Sequence, residues 1–251
     1  QNLVECAEAV SALMNRVGIK SEIIYLDPKD NIATSSLPPP IVYGEIKSQK
    51  NPNSKTILFY NHYDVQPEDP LDQWNVPPFS GEVSGNYIYG RGSSDDKGEL
   101  ITRIKAVEYF LRETGDVPCN VKFIVEGEEE IGSTHIEKYL TKHKEKFACD
   151  GIIWEFGYVN EKNIPIISLG MKGLLYVELI ACGPNKDTHS SLAVIVENPA
   201  WNLIKLLNSM RDENGRILIS DWYNDVRNFN QEEEKILNLE FFEANEFKKE
   251  Y

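Results

Sequence analysis

His62 stands in the run ILFYNHYDVQP, at the end of a very apolar stretch and two residues before Asp64. Open α/β sheets bind ligands outside the carboxyl ends of their strands, so a histidine there can face a cleft. Asp64 can then hold one ring nitrogen while the other binds a metal ion. A histidine satisfied within a turn is the competing reading, because histidine is a common loop residue as well as the commonest metal ligand. A second run, YGRGSSDDKGEL, ends a strand, turns on two glycines and opens a helix with Asp95 and Asp96. The helix dipole favours an acid at such a start, which accounts for one aspartate but less readily for the glycines and Lys97. A phosphate loop would need GxxxxGK(S/T) without paired carboxylates at its tip. A metal site is the better reading.

The third run, FIVEGEEEIGS, is an apolar strand leading into Glu126, Glu128, Glu129 and Glu130. An isolated run of this kind is ordinarily a solvated acidic turn. Here it follows a buried strand whose end should lie beside those of the earlier strands. Carboxylates gathered in one cleft repel unless a cation pairs them, and one or two divalent ions would resolve the conflict. Glu155 closes the stretch 152–154 in the same way, although an ordinary strand-end acid reads as well there. Oxygen and imidazole donors without thiolate suit zinc, manganese or cobalt.

The elements that must position these groups are legible from hydrophobic spacing. Leu3, Val4, Ala7, Val10, Leu13, Met14 and Val17 recur at helical intervals and Gly18 stops them. Residues 20–26 alternate like a strand, 27–40 form a loop, and 41–46 and 56–60 suit buried strands. A helix is expected near 97–112, with Leu100, Ile101, Ile104, Val107, Phe110 and Leu111 on its apolar face. Strands at 121–125 and 152–154 flank a short helix near 135–140. This alternation points to an α/β sandwich with a largely parallel sheet. After Gly170 the character changes. Residues 174–181 alternate like a half-exposed antiparallel strand, Asn198 and Pro199 cap and start a helix, and 216–219 read as a strand. The charged stretch from Gln231 onward reads as helical.

Composition narrows the possibilities. The chain has 26 Lys and Arg against 40 Asp and Glu, a formal net charge of -14, with 41% apolar residues. That is a globular balance, and its acidity argues against a nucleic-acid or anionic-membrane partner. No apolar run approaches the ~20 residues of a membrane span, and no signal-peptide pattern opens the chain. Cys6, Cys119, Cys149 and Cys182 form no CxxC pair and read as reduced, mostly buried thiols of a cytoplasmic protein. His135 and His143 lie in a charged helical stretch and are expected to be solvated. The start at Gln1 rather than Met fits a piece of something longer.

Taken in order, HYDVQP, Trp74 with PPF, YGRGSSDDKG, EGEEEIGS, LGMKG and NKDTHSS resemble the co-catalytic dizinc exopeptidases and deacylases. The resemblance runs from about Val42 to Ile219 and is nearest to the dipeptidase branch. It implies a phosphorylase/hydrolase-like three-layer α/β sandwich with a mostly parallel sheet over residues 1–170, the first segment of a catalytic domain. Residues 171–251 would form part of an α+β lid and dimerisation domain. It implies two divalent metal ions, zinc above all, with manganese or cobalt as alternatives. His62, Asp95, Glu130 and Glu155 would be ligands, with Asp95 bridging and the peptide after it cis. Asp64 would support His62, Glu129 would be the general base, and His189 would reach the substrate carbonyl. At that last point the group usually has HSG, whereas this chain has HSS.

The implied chemistry is hydrolysis of an amide in a dipeptide, a short peptide or an acyl-amino-acid, in a cytoplasmic homodimer formed through the lid. An N-acyl amino acid deacylase on the same metal core, and a non-catalytic binding protein, are the alternatives. The group needs one more histidine ligand after the lid, and no histidine follows His189. The 251 residues alone are therefore expected to be inactive.

Overall fold

The computed structural model describes residues 2–30, 37–155, 157–159, 164–168, 171 and 173–237. The chain divides into two compact units, residues 1–171 and 172–251.

Helix α1 (Asn2–Arg16) buries Ala7, Val10 and Met14, so its apolar spacing becomes one packed face. Strands β1 (Lys20–Ile24), β2 (Ile41–Ile46) and β3 (Thr56–His62) follow, then a small hairpin of β4 (Glu82–Ser84) and β5 (Tyr87–Tyr89). Helix α2 (Lys97–Thr114) leads into β6 (Asn120–Glu126), and α3 (Ile136–Lys142) and α4 (Lys144–Phe147) precede β7 (Gly151–Ile153). The main sheet has the order β1-β2-β6-β3-β7. It is mixed, with four of its five strands running the same way. β3 pairs in parallel with both β6 and β7, while β2 runs antiparallel to β1 and β6. The single reversed strand is β2, which returns from β1 without the crossover helix that a parallel connection requires.

Alternation along the strands sends side chains to two apolar clusters. Val121, Phe123 and Val125 of β6 join Ala7, Met14, Leu100 and Ile104 of the first two helices. Ile124 instead joins Leu58, Tyr60, Tyr139 and Phe147 on the other face. Burial on both faces explains why β3 and β6 read as continuous apolar runs rather than alternating ones.

In the second unit α5 (Pro199–Met210) begins as expected, with Asn198 Oδ1 accepting a hydrogen bond from Ala200 N at 3.0 Å. Helix α6 (Gln231–Leu237) covers the described part of the charged stretch, and the remainder of that stretch lies outside the described residues. Two expected strands are not formed. Residues 174–181 are irregular and almost wholly exposed, and 216–219 contribute only an isolated bridge from Arg211 to Ile217. A strand exists only where a neighbour accepts and donates its ladder bonds, and 216–219 finds only the short stretch 210–212 beside it, with Leu218 N donating to Met210 O at 2.8 Å.

Candidate metal centre

The three motifs and Glu155 meet where the expectation placed them, at the carboxyl ends of β3, β6 and β7. β3 and β6 run in register as far as His62 opposite Glu126, so the segments that follow them leave the sheet side by side. Helix α2 starts beside them because Asp96 is tied to β3: its Oδ2 accepts from Asn61 Nδ2 at 2.7 Å and from His62 N at 2.9 Å. Glycine is required on the way in. Gly92 has φ +79°, and a Cβ on Gly98 would lie 2.1 Å from Ser93 O. The Asp95–Asp96 peptide is cis.

His62 is the hub and is fully buried. Its Nδ1 lies 3.2 Å from Asp64 Oδ1, and its Nε2 lies 2.9 Å from Asp95 Oδ1. Glu129 Oε2 and Glu155 Oε2 each stand 3.8 Å from the same Nε2. Asp64 also accepts Glu130 N through Oδ2 at 3.0 Å, so one carboxylate orients both the imidazole and the turn that carries the glutamates. Gln66 holds the Glu130 carboxylate with its Nε2 at 2.8 Å and its backbone N at 3.2 Å.

Two groups of donor atoms result, each with all its atoms within 4.8 Å of one another: His62, Asp95 and Glu130, and His62, Asp96 and Glu155. The residues fit divalent cations. Asp96 Oδ1 and Glu155 Oε2 are buried without a hydrogen-bond partner, a costly state for a carboxylate oxygen. The electrostatics carry the same strain. Burial first, then the Glu129 carboxylate, pushes Glu155 up to about 7. Burial raises Glu129 and Asp96 above the usual carboxylate range as well. For His62 burial opposes the charged ring, but hydrogen bonds to Asp64 and Asp95 outweigh it and raise the group to about 10. A cation in place of the imidazolium proton would relieve the whole set.

Of the residues expected at the site, His62, Asp64, Asp95, Glu129, Glu130 and Glu155 come together. His189 belongs to the second unit, where it caps a short 3-10 turn, Ser190–Leu192, and accepts Ser191 N on Nδ1 at 3.2 Å. Ser191 Oγ lies 2.9 Å from the same nitrogen. Sequence reasoning assigned no donor role to Asp96, whose signal was its place in the aspartate pair. It also misjudged His135, which is buried rather than solvated. Its Nδ1 meets both oxygens of buried Glu128, at 3.0 and 2.9 Å, because Ser133 and Gly132 fold the chain back over the glutamate turn. His143 is half-buried against Phe147, and Cys182 is exposed, contrary to expectation, in a stretch that packs against no buried residue.

Oxygen donors gathered around one imidazole at the strand ends of a mixed sheet define an α/β protein built to hold divalent cations. Residues 58–240 match peptidase family M20/M25/M40, and the chain belongs to that family. It is 33% identical over 238 residues to the human (Homo sapiens) Beta-Ala-His dipeptidase, covering 93% of this chain and 46% of that protein. It is 31% identical to the Cys-Gly metallodipeptidase dug1 of Schizosaccharomyces pombe, covering 93% of this chain and 50% of that one. Among solved structures, an M20 family metallo-carboxypeptidase, Sso-CP2 from Sulfolobus solfataricus, superposes with a TM-score of 0.84 at 39% identity. That match covers 98% of this chain and 53% of the other. The chain thus spans about half the length of the curated relatives it matches.

Proposed function

We propose that the chain carries the metal centre and general base of a metal-dependent dipeptidase that hydrolyses dipeptides or short peptides. The reading rests above all on two groups of three donors that share His62, each with its atoms within 4.8 Å of one another. His62, Asp95, Glu130 and Glu155, with Asp96 beside them, would hold two cations, His62 giving its one free ring nitrogen, Nε2, to a single ion. Two cations, zinc by preference, would supply a water of lowered pKa and a polarised carbonyl.

The chain's own groups do the rest. Glu129 stands 3.8 Å from the His62 ring without a hydrogen bond to it, free to take a proton from the attacking water and return it to the leaving amine. Its raised pKa favours that return. Asp64 keeps the His62 ring oriented. Ser191 N donates to His189 Nδ1, which leaves Nε2 as the protonated nitrogen, able to donate to the carbonyl oxygen as it gains charge. The first unit would be the three-layer catalytic domain. The second would be the lid and dimer contact, with exposed Trp201, Ile204 and Leu207 as the apolar surface a second copy would cover. No helix among the described residues is long and apolar enough to cross a membrane, and all four cysteines are free.

The test is a panel of dipeptides and N-acetyl or N-succinyl amino acids, assayed with zinc or manganese on a protein that carries this chain at the full length of its relatives. Turnover of dipeptides, with the acyl amino acids left intact, is expected. The reverse preference would make the protein a deacylase. Glu129→Gln is expected to lower kcat by about 10²–10⁴-fold with cation binding retained, and undiminished turnover would remove Glu129 from the role of base.

A further inference from the structure

The ladder between β3 and β7 stops at the pair Phe59 and Ile153. Beyond it, where the next rung would join Tyr60 to Trp154, a side chain from α2 intervenes. Arg103 Nη1 donates to Tyr60 O at 2.8 Å and to Asn61 Oδ1 at 2.9 Å, and Nη2 donates to Trp154 O. The side chain is 11% exposed, and its guanidinium lies over the Phe59 ring, 5.4 Å from the centroid. Above it the Tyr60 and Trp154 rings stack at 3.8 Å.

Each partner of Arg103 stands one or two residues before a donor of the same group. Tyr60 and Asn61 lead to His62. Asn61 passes the connection on through Nδ2 to Asp96. Trp154 leads to Glu155. A planar fork of donors holds two carbonyls and an amide oxygen in one fixed geometry, where an ammonium acts as a single point charge. A fixed cation behind Asp96 and Glu155, with Glu99 Oε2 at 3.7 Å from Nη2, also offsets their mutual repulsion.

We infer that Arg103 is a positioning residue that assembles the His62, Asp96 and Glu155 group, and that it leaves Glu130 to be placed by Asp64 and Gln66. This deepens the metal-centre reading above and rests on it. Arg103 touches neither cation nor substrate. It sets the distance between the tips of β3 and β7 and thereby whether Glu155 reaches the imidazole.

The experiment is a chelator-competition titration of the metal-free 251-residue chain with Zn(II), repeated with Co(II) so that the visible spectrum reports coordination at each step. The parent is expected to bind cations in two steps. In Arg103→Gln one step should weaken by about 10–100-fold, the usual effect of removing a residue that orients ligands, while the other is unchanged. Arg103→Lys keeps the charge but not the fork and should lie between. Both steps weakening alike, or neither, would overturn the role of Arg103 while leaving the metal centre standing. A parent chain that takes up no divalent cation would overturn the metal-centre reading and this inference with it. If Arg103→Gln does not fold, as judged by far-ultraviolet circular dichroism, Arg103→Lys decides, and a parent-like titration from it would refute the positioning role.

Discussion

In the first unit every residue of β6, from Asn120 to Glu126, is buried, whereas in the second none of the twelve residues of α5 is. Both segments are apolar enough to be cores. The difference lies in what each needs in order to exist. α5 closes its own backbone hydrogen bonds and has Asn198 and Pro199 to start it, so it forms with Trp201, Ile204 and Leu207 still exposed. β6 cannot close its own. It exists because β2 and β3 lie on either side. In doing so it delivers Glu126 beside His62 and sends the glutamate turn toward the other donors. The metal centre is a product of non-local pairing, and the second unit shows what the same kind of sequence does without it.

The most severe way to break this contrast is a truncation in the core of the first unit. Phe123→Ala, in a residue buried against Phe59 with ring centroids 5.3 Å apart, should cost about 3–5 kcal/mol in a denaturant titration. A loss under about 1 kcal/mol would mean that the first unit is not the packed region described.

Next in size is the charge strain at the centre itself. Glu155 sits at about 7 against an ordinary 4.5. A carboxylic acid whose folded pKa is raised is favoured in its neutral form, so its contribution to stability is lost as pH rises from about 4.5 through 7. In metal-free chain, Glu155→Gln should therefore be close to the parent near pH 4.5, become progressively more stable than the parent up to about pH 7, and hold that advantage above it. Thermal midpoints measured with a chelator present across that range check this, and a pH-independent difference would contradict it.

Smaller effects sharpen the other side of the comparison. Asn198→Ala removes the cap on Ala200 N and should cost α5 about 1 kcal/mol, read as faster amide exchange confined to that helix. Trp201→Ala should change stability by no more than about 0.5 kcal/mol in dilute, monomeric chain. A loss of 2 kcal/mol or more there would show that α5 is covered after all.

Much of the centre was legible because its members sit at positions where local rules and chemistry conflict. Four glutamates in five residues after a buried strand, or paired aspartates at a glycine turn, are hard to explain as caps alone, and they pointed to His62, Asp95 and the glutamates 128–130 together, whereas Glu155 was singled out only by the family resemblance. Helices were legible for the reason α5 is stable: spacing and caps act within a few residues. What the order of residues could not settle was pairing. Residues 174–181 alternate as well as any strand here and form none, while β2 reverses direction within an otherwise co-directional sheet. His135 looked like a solvated member of a charged helix until the turn at Gly132 and Ser133 folded it over Glu128. Arg103 carried no signal at all, since a basic residue on an amphipathic helix is ordinary until β3 and β7 end beneath it. The sequence alone thus determined which side chains have the chemistry and which segments are helical, because both depend on neighbours along the chain. Only the tertiary structure decided which strands pair, which acids share an imidazole and which buried cation holds them, because those depend on distances between segments that no local spacing encodes.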